Sequence, residues 1–150
     1  MIIEIVKWVL IFFGIFLIFI GFVMLINPIK ARNTLRKAGS TNFINYAEIT
    51  IRLIPAISLI LYSEFSKFPE AFKIFGWIML ITSLILYVVP RKTHHKFSMK
   101  SADILKPIYF QLISPFAFLF GGLIIYNTLW GKVIGLQNVL ANAKETAKIE

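Results

Sequence analysis

The sequence predicts an all-α integral membrane protein, four transmembrane helices in a bundle with both termini on the non-cytoplasmic side. Three observations predict it. Hydrophobic residues make up 58% of the 150 positions and charged residues only 15%, outside the usual range of soluble domains. The apolar residues gather into runs near 8–26, 47–62, 70–89 and 108–130, each close to the roughly 20 residues that cross a hydrocarbon core of about 30 Å. The 16 Lys and Arg residues fall largely between these runs, where they set orientation. Backbone groups in lipid must satisfy one another, so the runs are expected as helices.

The first span, about 6–27, is too long for the apolar core of a signal peptide, and no Ala-x-Ala site follows it. It is expected as a retained helix ended by Asn27-Pro28, because the residue before proline is pushed out of helical geometry. Gly14 and Gly21 lie seven apart on one face. Pro28 and Gly39 then bracket a short basic helix expected on the membrane surface.

Asn45 is the expected N-cap of the second span, 46–62, with Glu48 three positions on as in a capping box. Pro55 should bend this helix. The short link 63–68 makes spans two and three an antiparallel hairpin. Pro69 suits the first position of the third span, 69–89, which carries Gly76 and Ser83 and stops at Pro90. Residues 91–106 read as a basic loop with His94 and His95. The fourth span, 107–130, contains Gln111, Ser114, Pro115, Ala117, Gly121 and Gly122, small residues that let backbones approach. Residues 131–150 form an amphipathic or flexible tail, with Leu136, Val139, Leu140, Ala143 and Ala147 at helical spacing.

Orientation follows from charge. The two basic segments hold four and five Lys/Arg and Arg52 makes ten, against six on the other side, two of them far along the tail. The positive-inside rule therefore puts the basic segments in the cytoplasm of a bacterial-type inner (plasma) membrane. Trp8, Tyr62, Tyr126 and Trp130 near one surface and Tyr46, Tyr87 and Tyr109 near the other fit the interfacial preference of these rings, with Trp77, about two turns in from Pro69, the exception. A shift of 62 residues places Gly14 on Gly76, Gly21 on Ser83 and Pro28 on Pro90, and a shift of 60 places Pro55 on Pro115. Two tandem helical hairpins, parallel repeats about the membrane normal, would give this pattern.

Intramembrane ionisable residues are functional candidates. Glu48 and Arg52, four apart, are placed to form an ion pair on one helix face. A capping and anchoring role competes, since Arg52 is shallow enough to reach the headgroups. Gln111 and Ser114 share a face of the fourth span, and Gln111 is expected to meet Arg52 or Glu48 across the bundle. Gly14, Gly21, Gly76, Ser83, Ala117, Gly121 and Gly122 are the expected packing positions. Arg32, Arg36, Lys37, Arg91, Lys92 and Lys96 are expected to touch anionic lipid headgroups.

Adjacent histidines point about 100° apart on a helix and do not chelate as an i, i+4 pair does. The absence of cysteine excludes disulfides and thiolate metal sites, so no metal and no cofactor is expected. The net charge of +9 is accounted for by topology, and no nucleic-acid partner is expected. No nucleophile-base set or phosphate-binding glycine loop appears, which argues against an enzyme. Small multidrug transporters also have four helices, but with a membrane glutamate in the first; here Glu4 precedes that span and Glu48 lies in the second. The expected function is an accessory or assembly subunit of a larger membrane complex, partnered by lipids and by another integral protein or further copies of the chain. A small oligomeric transporter with a Glu48, Arg52 and Gln111 polar path is the second reading, and a lipid-binding protein the third.

Overall fold

Proline and capping side chains punctuate a chain that is otherwise helical. A computed structural model describes residues 1–148, with the side chains of 132–136, 138 and 139 outside that description. The helices are α1 (Ile2–Ile26), α2 (Pro28–Lys37), α3 (Asn42–Tyr62), α4 (Pro69–Val88), α5 (Arg91–Ile104) and α6 (Pro107–Thr146), with one 3-10 turn at Ser63–Phe65. Four of them, α1, α3 extended through the 3-10 turn, α4 and the first 25 residues of α6, are long and apolar enough to cross a membrane. This is the organisation of a multi-pass membrane protein.

Asn27 closes α1 and opens α2, its side chain accepting from Lys30 N at 3.0 Å, while Pro28 supplies a first position that needs no N–H partner. Prolines also start α4 and α6. The expected Asn45 cap is corrected. Helix α3 begins earlier, with Thr41 as N-cap accepting from Ile44 N at 3.1 Å. Asn45 instead lies inside the helix, 2% exposed, and bonds to α5. Thr and Asn are both good caps; the tertiary partner of Asn45 decides between them.

The expected loop 91–106 is corrected too, because Arg91–Ile104 is helical. Its buried face is His94, Ser98 and Ala102, an i, i+4, i+8 stripe without a large apolar residue. The tail expected to begin at 131 continues α6 unbroken to Thr146. Leu140, Ala143 and Ala147 are exposed, and Leu136 and Val139, on which its amphipathic reading rested, lie outside the described residues.

Helix α1 packs along α6 and α3 along α4, with α1 also against α3. The tandem hairpins would make α1–α3 and α4–α6 the main pairs, so they are not the packing unit; α4 and α6 touch through Phe75 and Phe120, edge to face at 5.2 Å. The core is small: Val6, Leu10, Leu59, Tyr62 and Phe72. Most apolar side chains face outward, as lipid solvation permits.

The two main pairs share a close contact, though at a different shift from the 60 residues that place Pro55 on Pro115. A Cβ on Gly14 would lie 2.6 Å from Ile125 Cγ1 and 2.9 Å from the Gly121 carbonyl oxygen. A Cβ on Gly76 would lie 2.6 Å from Ile60 Cγ1 and 3.0 Å from the Ala56 carbonyl oxygen. Gly76 follows Gly14 by 62, and Gly121 and Ile125 follow Ala56 and Ile60 by 65 each. The α1–α6 contact is thus the counterpart of α4–α3, and each three-helix unit (span, basic helix, span) exchanges partners with the other. A link one residue longer before α5, an α5 four residues longer than α2 and a link to α6 two residues shorter together account for the change of offset from 62 to 65.

Of the other packing positions, Gly21 faces Phe118 and Ala117, and Ser83 is fully buried, donating to Met79 O at 2.7 Å. Gly122 is the exception. Nothing lies within 4 Å of where its Cβ would be.

Candidate functional site

Two polar residues of the fourth span join it to α1. Gln111 Nε2 donates to Leu25 O at 3.2 Å and Ser114 Oγ to Gly21 O at 3.0 Å. Both acceptors belong to consecutive turns of α1, the helix along which α6 packs. The expected contact of Gln111 with Glu48 or Arg52 is therefore corrected: a glutamine amide on the α1-facing side meets a backbone carbonyl there. Glu48 and Arg52 are joined by neither a hydrogen bond nor an ion pair among the described residues. Glu48 Oε2 is buried without a hydrogen-bond partner, while Arg52 is exposed. Among the described residues, no hydrogen bond or ion pair links Glu48 or Arg52 to Gln111 or Ser114.

A denser polar cluster lies where α2 and α5 meet. Asn45 Oδ1 stands 2.7 Å from His94 Nδ1, and Ala38 O stands 2.9 Å from His95 Nδ1. A backbone carbonyl can only accept, so His95 donates from Nδ1 to Ala38 O, while the His94 ring and the Asn45 amide share one hydrogen bond. Gly39, at φ +66, turns the chain over this pair, and its missing Cβ would come within 3.0 Å of His94 Nδ1. Only glycine meets both demands without strain. Arg91 Nη1 donates to Ser40 O at 2.7 Å.

Arg32 Nε donates to Ala102 O at 2.7 Å, and Arg32 and Arg36 approach Asp103 Oδ1 at 3.7 and 3.4 Å. Three of the six expected headgroup residues, Arg32, Arg36 and Arg91, are thus engaged within the chain. Lys37, Lys92 and Lys96 stay exposed. The sequence signal for this clasp was Asp103, the one acid in either basic segment. Its carboxylate is 55% exposed, so Asp103→Ala should cost less than about 1 kcal/mol, with the loss shrinking in high salt. Chemical denaturation at two ionic strengths measures it.

At the opposite end, Tyr62 is buried and donates to Thr128 O at 2.8 Å. Beside it, Lys67 Nζ stands 5.8 Å from the ring centroid of Phe68, 5.7 Å from Tyr126 and 5.9 Å from Trp130. Sequence reasoning placed Tyr126 and Trp130 at the surface but missed their convergence with Phe68 on one ammonium. Residues 67 and 126 are 59 positions apart, and no local pattern joins them.

Among the described residues, no three His, Asp or Glu side chains gather to hold a metal ion. No protein-family model, curated protein or solved structure matches the chain.

Proposed function

We propose that this protein is a non-enzymatic accessory or assembly subunit of a larger complex in a bacterial-type inner membrane, both termini outside the cytoplasm. One observation carries this reading. The apolar part of α6 ends at Gly131, yet the helix runs on to Thr146. Fifteen further residues at about 1.5 Å each extend it roughly 22 Å. Its described side chains, Gln137 and 140–146, are exposed, and these are open to an integral or membrane-anchored partner.

Extraction in mild detergent, with the full chain compared to one ending at Gly131, tests the proposal. The full chain should bring down a defined membrane partner that the shortened chain loses. A homogeneous homo-oligomer from the full chain, or equal recovery of the partner by both, would refute it. The transporter reading gains less support, since Gln111 and Ser114 bond to carbonyls of α1 and neither bonds to Glu48 or Arg52. It predicts that Glu48→Gln abolishes function at unchanged abundance.

A further inference from the structure

The three rings around Lys67 stand where spans end. The span containing α3 closes at Phe65, α4 opens at Pro69 and the apolar part of α6 closes at Gly131, so Lys67, Phe68 and Trp130 lie at headgroup level. We infer that the space framed by Phe68, Tyr126 and Trp130 is a binding site for the ammonium headgroup of a zwitterionic phospholipid, in which Lys67 is the resident substitute.

Aromatic faces carry negative quadrupole potential and attract cations within about 6 Å of the centroid, and cages of such rings are suited to alkylated ammonium groups. Lys67 meets all three rings at 5.7 to 5.9 Å, close to that limit. A primary ammonium therefore fits loosely, and a bulkier trimethylammonium fills the same space with closer contact. Tyr126 and Trp130 stack at 5.7 Å and 19°, which holds two walls in place. Phe68, Tyr126 and Trp130 are 51%, 45% and 43% exposed, so a lipid headgroup can reach them from the membrane surface.

The resident is displaceable. Lys67 is exposed and hangs on a flexible four-carbon stem. Glu64 and Glu70 lie three residues to either side of it, yet neither forms an ion pair with it among the described residues. Its ammonium rests against the rings instead of either carboxylate. Substitution of one ammonium for another keeps the charge between the rings constant.

Native mass spectrometry of the full chain in maltoside micelles, supplied in turn with phosphatidylcholine, phosphatidylethanolamine and phosphatidylglycerol, tests the site. Retention should fall in that order. Trp130→Leu and Tyr126→Leu should each lower phosphatidylcholine retention about 5-fold, the worth of one good cation–π contact, and leave phosphatidylglycerol unchanged. Lys67→Ala removes the competitor and should raise phosphatidylcholine retention severalfold, which keeps the test decisive where a ring variant fails to fold. Equal retention of the three lipids, a Lys67→Ala variant that binds no more phosphatidylcholine, or folded ring variants that bind as well as the parent would each overturn the proposal.

Discussion

Gly14→Ala and Gly76→Ala should each destabilise the fold by about 1–3 kcal/mol, and by amounts within about 1 kcal/mol of each other. A methyl group at either position meets a carbonyl oxygen of the facing helix at 2.9 or 3.0 Å and an isoleucine Cγ1 at 2.6 Å. The isoleucine can rotate away. The carbonyl belongs to a helix backbone and can yield only by moving the helix, so the cost exceeds the gain of up to about 1 kcal/mol that alanine brings over glycine in a helix interior. Gly122→Ala, with open space around it, keeps that gain and should be neutral or stabilising. Leucine at position 14 or 76 should remove the folded form. Unfolding in mixed micelles, followed by circular dichroism, compares all of these. A costly Gly14→Ala beside a silent Gly76→Ala would mean that the two pairs are not equivalent.

The spans were legible because length, hydropathy and proline specify a membrane helix without knowledge of its neighbours. Pro28, Pro69, Pro90 and Pro107 mark boundaries that fall within a residue or two of the observed ones. Helix α5 was not legible, since its buried stripe of His94, Ser98 and Ala102 is recognised by hydrogen bonds and close approach, which leave no apolar period to read. Helix partners were not legible either. Gly14, Gly76 and Gly121 each announce a close approach, but small residues do not say which helix will come near. The 62-residue spacing was visible in the sequence, whereas the exchange of partners between the two units needed coordinates.

The same distinction bears on the candidate site. Glu48 and Arg52 drew attention because charge in an apolar run is conspicuous, yet neither a hydrogen bond nor an ion pair joins them among the described residues. Gln111 was read as needing a partner on the second span, and instead it and Ser114 each bond to a backbone carbonyl in α1. Lys67 was counted only as a charge. Its three rings come from a short link and from one face of α6, so the cage exists only once α3, α4 and α6 end at one level.

Asn45→Ala and His94→Leu should each cost about 1–3 kcal/mol, and the combination Asn45→Leu with His94→Leu should cost less than the sum of the separate leucine changes by at least about 1 kcal/mol. Both residues are nearly inaccessible, at 2% and 6%. Removing one leaves the other as a buried polar atom with neither water nor protein to satisfy it, whereas removing both replaces the polar pair by apolar contact. The singles should also loosen the neighbouring contacts, because Gly39 rests on the His94 ring and the flanking Ala38 and Ser40 carbonyls receive His95 and Arg91. Faster amide exchange through 38–41 and 91–98 in either single variant would report that loosening. Additive losses would show the two side chains to be independent. A strong coupling would show that this polar cluster closes α2 and α5 over one end of the bundle, which assigns its histidines to holding the fold and leaves the other end, at Lys67 and along the extension of α6, for the lipid and partner proposed above.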